Sequence, residues 1–165
     1  MELAPTPHAR GPPILVGGTG ETKTFRLAAQ YSDELNINAA FVEMPRKLDA
    51  LAGHLERLGR ERTDITTSCL GTIIVAPTHD GATEKLSAML RARGVAYPSE
   101  IVNDPAARNA VLPRLFFGDP DEVVDQVRDL LSVGLDGVVV TMLGDGHDAD
   151  TVRLAGETLT RAFAT

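Results

Sequence analysis

PILVGGTGETKT, residues 13–24, joins a short apolar strand to the start of a helix through a glycine-rich turn. Glycine permits positive φ and lets a ligand come close to the backbone. The first N–H groups of the following helix have no carbonyl partners within the helix, and they lie at the positive end of its dipole. The segment therefore predicts a site for a phosphate group.

Two known phosphate-binding patterns fit this segment only in part. The P-loop pattern G-x-x-x-x-G-K-[ST] is broken at Thr22, where its second glycine is required. The dinucleotide pattern G-x-G-x-x-G matches Gly18 and Gly20 but has Lys23 in place of the third glycine. A turn that binds no ligand also fits the local sequence.

Apolar periodicity predicts a series of parallel βα units. Strands are expected at residues 14–16, 34–37, 65–75 and 138–140, and helices at about residues 21–32, 43–58, 82–93, 120–133 and 150–163. Asp119, Pro120 and Glu122 have the spacing of a helix capping box. Residues 94–114 contain three prolines and little apolar period, which predicts an insertion or lid with a short helix near residues 106–112.

The continuation of the glycine segment resembles the luciferase-like flavin monooxygenase superfamily, in particular the branch that uses the deazaflavin coenzyme F420. Members of this branch carry P-P-I-L-I-G-G-x-G-E followed by T-L-R-L-A-A-x-Y-A-D-x-W-N-V. Here PPILVGG, residues 12–18, stands in register with Tyr31, Asp33 and Asn36. Leu35 departs from the pattern, because the family usually has a tryptophan there.

Later segments continue the resemblance in the same order. FGDPDEV at residues 117–123 resembles the family's G-T-P-E-x-V, and GLDGV at residues 134–138 resembles G-V-D-G. All of these motifs belong to the C-terminal half of the family's (β/α)₈ barrel, a fold that takes about 250 residues. The resemblance therefore implies an α/β fold in which residues 1–165 form a single domain, half of a TIM barrel, with four parallel βα units and an insertion at residues 94–114.

The resemblance also implies a function, namely hydride transfer between coenzyme F420, or alternatively FMN, and an unknown organic substrate. The phosphate-bearing tail of the cofactor would meet Gly17, Gly18, Thr19 and Gly20, and Asn36 would face the same pocket. The family's ring-binding and proton-handling groups lie mostly on the other half of the barrel. No catalytic residue and no metal ligand is therefore assigned here, and the isolated chain is expected to be inactive.

Two other functions remain open at this stage. One is a non-catalytic half-barrel subunit that binds a phosphate-bearing ligand. The other is a nucleotide hydrolase that uses the incomplete P-loop, although neither of the apolar strands at residues 73–76 and 138–141 ends in the acidic residue that would hold magnesium.

Charge and hydropathy restrict the partners of the chain. The net charge of −7 argues against binding to nucleic acids or anionic membranes. The first 13 residues lack the apolar core of a signal peptide, which favours a cytoplasmic location. A half-barrel would leave the strands at residues 14–16 and 138–140 with unpaired edges, so we expect a homodimer or an association with a complementary half-barrel.

A few polar residues outside the glycine segment are weaker candidates. Cys69 lies in an apolar strand and is expected in the core. His79 follows the third strand, at the edge where barrel active sites form. His8 and His54 have no evident partners in the sequence. The acidic loop around Asp145 and His147 lacks the spacing of a calcium site, and Asp148 or Asp150 is expected to cap the last helix.

Overall fold

The structure, a computed structural model, describes residues 12–144 and 146–164, so His8 and Asp145 lie outside the described residues. The described part contains five strands: β1 Leu15–Gly18, β2 Glu34–Ile37, β3 Thr66–Val75, β4 Leu115–Gly118 and β5 Gly137–Thr141. It also contains seven α-helices: α1 Thr24–Tyr31, α2 Met44–Leu58, α3 His79–Ala92, α4 Pro98–Val102, α5 Pro105–Val111, α6 Pro120–Ser132 and α7 Ala149–Phe163.

All five strands are parallel and belong to one sheet. β3 is the longest strand and pairs with β2 near its start, with β5 along its middle and with β4 near its end. β1 pairs with β2 alone and β5 pairs with β3 alone within the described part, so each presents an unpaired edge. These are the two edges that the sequence predicts to be open.

The two faces of the sheet differ in character. One face packs under α1, α2, α6 and α7 in a core that includes Phe25, Leu35, Leu51, Cys69 and Val127. The opposite face carries the alternate residues of the same strands, and most of it is only half-buried. Leu15 and Val139 on this face are 54% and 46% exposed. In a closed barrel this open face would be the interior.

β4 and α4 are additions to the architecture predicted from the sequence. β4 is buried on both sides, and α4 lies in the predicted insertion together with α5, which matches the short helix expected there. A second, smaller core joins the end of β3 and β4 to α3 and α4 through Ile74, Leu86, Val102 and Phe117. The role of this segment as a lid stays a prediction.

Side-chain caps fix the starts of two helices as expected. Asp119 accepts hydrogen bonds from the backbone N–H groups of Asp121 and Glu122, and the Glu122 carboxylate accepts one from the Asp119 N–H. Asp148 accepts from the Thr151 N–H at 3.0 Å and so caps α7. The predicted capping box and the predicted Asp148 cap are both confirmed.

An arginine–aspartate cluster ties the start of β3 to the start of β5. Arg62 donates to the Gly134 carbonyl at 2.8 Å and to Asp136 Oδ2 at 2.7 Å. Asp136 also accepts from the Thr67 N–H at 2.7 Å and from the Thr67 hydroxyl at 2.9 Å. Burial raises the pKa of Asp136, but the hydrogen bonds from Arg62 and Thr67 together outweigh burial and hold its pKa below the ordinary value.

This cluster makes the stability of the fold depend on pH in the acid range. A carboxyl group whose pKa is lower in the folded state stabilises the fold above its unfolded pKa of about 3.9, and the contribution is lost as the pH falls through the folded pKa. Because the Asp136 side chain is 45% exposed, we expect a contribution of only about 0.5–1 kcal/mol. Urea unfolding between pH 6 and pH 2 should show a smaller acid loss in Asp136→Asn than in the unmodified chain, and equal losses would contradict this role of Asp136.

Candidate functional site

The segment that we call the glycine turn, residues 17–23, lies at the carboxyl edge of the sheet. It comprises the last two residues of β1 and the connection to α1. Gly18 has φ +153°, a conformation that side-chain-bearing residues rarely adopt, and a Cβ there would lie 3.0 Å from Thr24 Cγ2. A Cβ at Gly20 would lie 3.0 Å from Thr24 Oγ1, whereas at Gly17 the nearest atom would be 4.0 Å away. Backbone conformation therefore requires glycine at position 18, and close packing favours it at position 20.

The start of α1 fits an anionic ligand. Its N-cap residue, Lys23, makes no side-chain cap hydrogen bond, and the first turn contains no acidic residue. By contrast, the first N–H groups of α6 and α7 donate to the carboxylates of their N-cap residues, Asp119 and Asp148. The Phe25 N–H donates to the Gly20 carbonyl at 3.0 Å. For the other leading N–H groups of α1, at the positive end of its dipole, no side-chain acceptor from the N-cap and no carboxylate in the first turn competes with a phosphate.

Side chains of α2 form hydrogen bonds and ion pairs with the turn. Lys47, which is 7% exposed, donates to the Thr19 carbonyl at 2.9 Å and pairs with Glu21 Oε1 at 2.8 Å. Arg46 also pairs with Glu21. The His54 Nε2 atom lies 2.7 Å from the Glu21 carbonyl, while its Nδ1 lies 2.8 Å from the Arg57 guanidinium, which fixes the proton on Nε2. The expectation that His54 lacks partners is wrong.

The charges around the turn favour an anion. Glu21 is the one acidic residue of residues 17–24. The hydrogen bond from Lys47, with a further contribution from Arg46, holds the pKa of Glu21 below its ordinary value, although burial acts in the opposite direction. Its carboxylate is therefore ionised at neutral pH and paired with two cations. Arg46 also pairs with Glu43 at 2.7 Å. With Lys23 added, three cations therefore stand against two carboxylates, which leaves an excess of one positive charge around this turn.

Asn36 is placed on the open face, directly beside the glycine turn. It is the register partner of Gly17 across β1 and β2. Its Nδ2 atom donates to Ser68 Oγ at 2.9 Å. Gly137 on β5 completes this row across four strands, which runs Gly17, Asn36, Ser68, Gly137. The structure therefore brings all the predicted site residues to one corner of the sheet, with Asn36 beside them on the face that a barrel would enclose.

The other polar candidates have local roles in the structure. Cys69 is fully buried, and burial raises the pKa of its thiol to about 11, so it is the core residue that the sequence predicts. His79 lies at the carboxyl edge of the sheet, where its Nδ1 pairs with the Glu122 carboxylate at 2.9 Å and its ring meets Phe117 edge-on. No group of three or more potential metal ligands occurs among residues 12–144 and 146–164.

A concave groove lies elsewhere on the molecule. It has a volume of about 530 Å³, runs along the outer edge of β4 beside α6, and is lined by Phe41, Arg108, Phe117 and Gln126 among others. None of the residues of the glycine turn lines it. The glycine turn lies instead at a corner of the sheet, beside the edge of β1 that no strand of the described residues covers.

Comparison with known proteins places the chain in a family. Residues 1–137 match the family model described as luciferase-like monooxygenase. No curated protein matches the chain.

None of the helices in the described part of the chain has the length and apolar character that crossing a membrane requires.

Solved structures with the same fold include several oxidoreductases. The monooxygenase RslO1 from Streptomyces bottropensis is 19% identical, with a TM-score of 0.70 over 98% of this chain and 51% of that structure. The coenzyme F420-dependent tetrahydromethanopterin reductase from Methanopyrus kandleri is 18% identical, with a TM-score of 0.66 over 92% of this chain and 51% of that structure. For the long-chain alkane monooxygenase LadA the identity is 19% and the TM-score 0.65, over 88% and 40%.

These likenesses define the architecture of the chain. It forms a parallel α/β sheet that spans about half the length, or less, of the TIM-barrel enzymes that it matches. At identities below 20% the structural likeness establishes the fold alone. The family model, which covers most of the chain, establishes more: the chain belongs to the luciferase-like monooxygenase family.

Proposed function

We propose that this chain forms the phosphate-binding half of a flavin-type oxidoreductase site, in which Gly17, Gly18, Thr19 and Gly20 hold the phosphate of coenzyme F420 or FMN. The observation that carries the proposal is the turn itself: a glycine-rich, cation-flanked turn that leads into a helix without a side-chain cap, at the carboxyl edge of a parallel sheet. Active sites of barrel enzymes form at this edge. When bound, such a cofactor accepts or donates a hydride.

The residues of this chain bind and orient rather than react. The turn offers backbone N–H groups to phosphate oxygens, and the exposed Lys23 adds a positive charge at its rim. Asn36 lies beside Gly17 on the open face, where its amide can contact the part of the ligand next to the phosphate. This assignment of binding residues to the present chain agrees with the family resemblance, which assigns the reacting groups to the other half of the barrel.

The choice between the two cofactors rests on the sequence. The turn recognises a phosphate, which both cofactors carry. Among the structural neighbours, a secondary alcohol dehydrogenase is described as F420-dependent and a riboflavin lyase contains a modified FMN. The resemblance of residues 12–36 to the F420 branch favours F420 for this chain, with FMN as the alternative.

A complete cofactor pocket requires further strands and loops beside those of this sheet. β1 and β5 have open edges among the described residues. The side chains of Leu15 and Val139, which lie on the open face of the sheet, are each about half exposed. Edges of this kind pair with further strands. We therefore propose that the face closes against a complementary half-barrel or a second copy of this chain. A non-catalytic subunit that binds a phosphate-bearing ligand is the alternative function, because the family resemblance assigns the reacting groups to the other half of the barrel.

Titration of the 165-residue chain with F420, FMN and riboflavin tests the proposal. We expect phosphate-dependent but weak binding, with a Kd above about 0.1 mM for F420 and FMN, no binding of riboflavin, and no turnover, because the ring would lack half of its pocket. Fluorescence of the ring and equilibrium dialysis would give the two affinities. Equal binding of FMN and riboflavin would contradict the phosphate site, and micromolar binding with turnover would contradict the half-site.

A further inference from the structure

Lys47 occupies a place in α2 where an apolar residue is expected. The buried residues of this helix are Met44, Lys47, Leu51 and Leu55, which follow the i, i+3, i+4 spacing of a core-facing stripe. A lysine side chain at such a position loses most of the hydration of its ammonium group, and this costs free energy unless the charge is paired and hydrogen-bonded. The structure shows where the compensation comes from.

Both partners of the Lys47 ammonium belong to the glycine turn. Its Nζ atom donates to the Thr19 carbonyl at 2.9 Å and pairs with the Glu21 carboxylate at 2.8 Å. The contact with Thr19 fixes the direction of a peptide group in the middle of the turn. The contact with Glu21 places a positive charge beside a carboxylate that would otherwise repel an anion. One buried side chain thus acts on the shape of the turn and on its charge.

We propose that Lys47 is the positioning residue of the anion site and that Glu21 is its counter-charge, which lowers the affinity of the turn for anions. The inference rests on the proposed function, since it concerns the same turn. It assigns opposite effects to the two members of one ion pair. A pair that served only to stabilise the fold would weaken anion binding whichever member was changed.

Two substitutions separate these roles. Lys47→Met keeps the length and apolar character of the stripe but removes both contacts, so the affinity for inorganic phosphate should fall about tenfold or more. Glu21→Gln keeps an acceptor for Lys47 and removes one negative charge near the anion, so the affinity should rise about threefold. Glu21 is not part of the apolar core, so Glu21→Gln is the variant that remains informative if Lys47→Met fails to fold.

Lys23→Met is the matched control. It removes one lysine from the same turn, but this lysine is exposed and makes no cap hydrogen bond. Its loss should lower the phosphate affinity by no more than about threefold, through charge alone. Calorimetric titration with inorganic phosphate, together with amide hydrogen exchange of residues 17–24, would measure affinity and order of the turn separately.

Amide exchange and phosphate affinity test the two roles independently. Faster exchange at residues 19–21 in Lys47→Met, but not in Lys23→Met, would support the positioning role, and unchanged exchange would overturn it. Equal losses of phosphate affinity in the two lysine variants, or weaker binding in Glu21→Gln, would overturn the assigned roles. If the unmodified chain binds no phosphate, the proposed function fails, and amide exchange alone then decides whether Lys47 positions the turn.

Discussion

Replacing Gly71 by alanine is expected to lower the free energy of unfolding by about 2–3 kcal/mol. Gly71 lies in β3, on the face covered by helices, and a Cβ at this position would lie 2.6 Å from Phe116 Cε2 and 3.2 Å from Phe41 Cζ. The two phenyl rings pack with their centroids 4.6 Å apart, and Phe116 is fully buried. The added methyl group must therefore displace the buried Phe116 ring from its packed position.

Urea unfolding would measure this loss, with Gly156→Ala as the control. Gly156 lies inside α7, and a Cβ there would meet no atom within 4 Å. Because alanine is a better helix former than glycine, Gly156→Ala should stabilise the fold by about 0.5–1 kcal/mol. The packing explanation is wrong if Gly71→Ala is as stable as the unmodified chain.

Much of the fold follows from local patterns in the sequence. The strand at residues 34–37 and the helix ending at Leu58 occur where alternation and the helical stripe predict them. β4 escapes prediction because its four residues are apolar and buried on both faces, so they show neither period. α3 begins at His79, three residues before the predicted start, because the Thr78 side chain accepts from the Gly81 N–H and caps the helix there.

The start of α1 shows how tertiary contacts override local propensity. The sequence predicts a helix from about residue 21, but α1 begins at Thr24. Residues 21–23 form a turn instead, and the side chain and carbonyl of Glu21 are both engaged by side chains of α2. The partners of Glu21, including Lys47 and His54, are 25 or more residues away in the chain.

The candidate site also contains a part that local sequence predicts and a part that depends on tertiary contacts. Glycine spacing is a local signal, and it predicts the turn that the structure places at the carboxyl edge of the sheet. Lys47 and Arg46 escape prediction, because their proximity to the turn depends on how α2 packs against α1. One signal in the sequence could have found Lys47: a lysine within the apolar stripe Met44, Leu51, Leu55.

Replacing Gly18 by valine should lower the affinity of the turn for phosphate by more than tenfold. Valine would have to adopt φ +153°, which costs about 1–3 kcal/mol, or rotate the backbone and redirect the N–H groups that face the ligand. Its Cβ would also lie 3.0 Å from Thr24 Cγ2. The first response places the valine side chain against Thr24, and the second changes the direction of the N–H groups that we propose to bind the anion.

Gly59→Val is the control for the general effect of strain. Gly59 also has positive φ, +64°, but it ends α2, and a Cβ there would meet no atom within 4 Å. The valine at this position should lower stability by a similar amount and leave phosphate affinity unchanged. Loss of affinity in both variants would show that binding follows overall stability and not the geometry of the turn.

The most direct test of the phosphate site is a residue-resolved NMR titration of the unmodified chain with FMN and with riboflavin, which differ by the phosphate alone. We predict that FMN shifts the backbone amide signals of Gly17, Gly18, Thr19 and Gly20, that riboflavin leaves them in place, and that Gly18→Val removes the response. Shifts that are the same with both ligands, or that appear along the β4 groove and not at the glycine turn, would contradict the central claim.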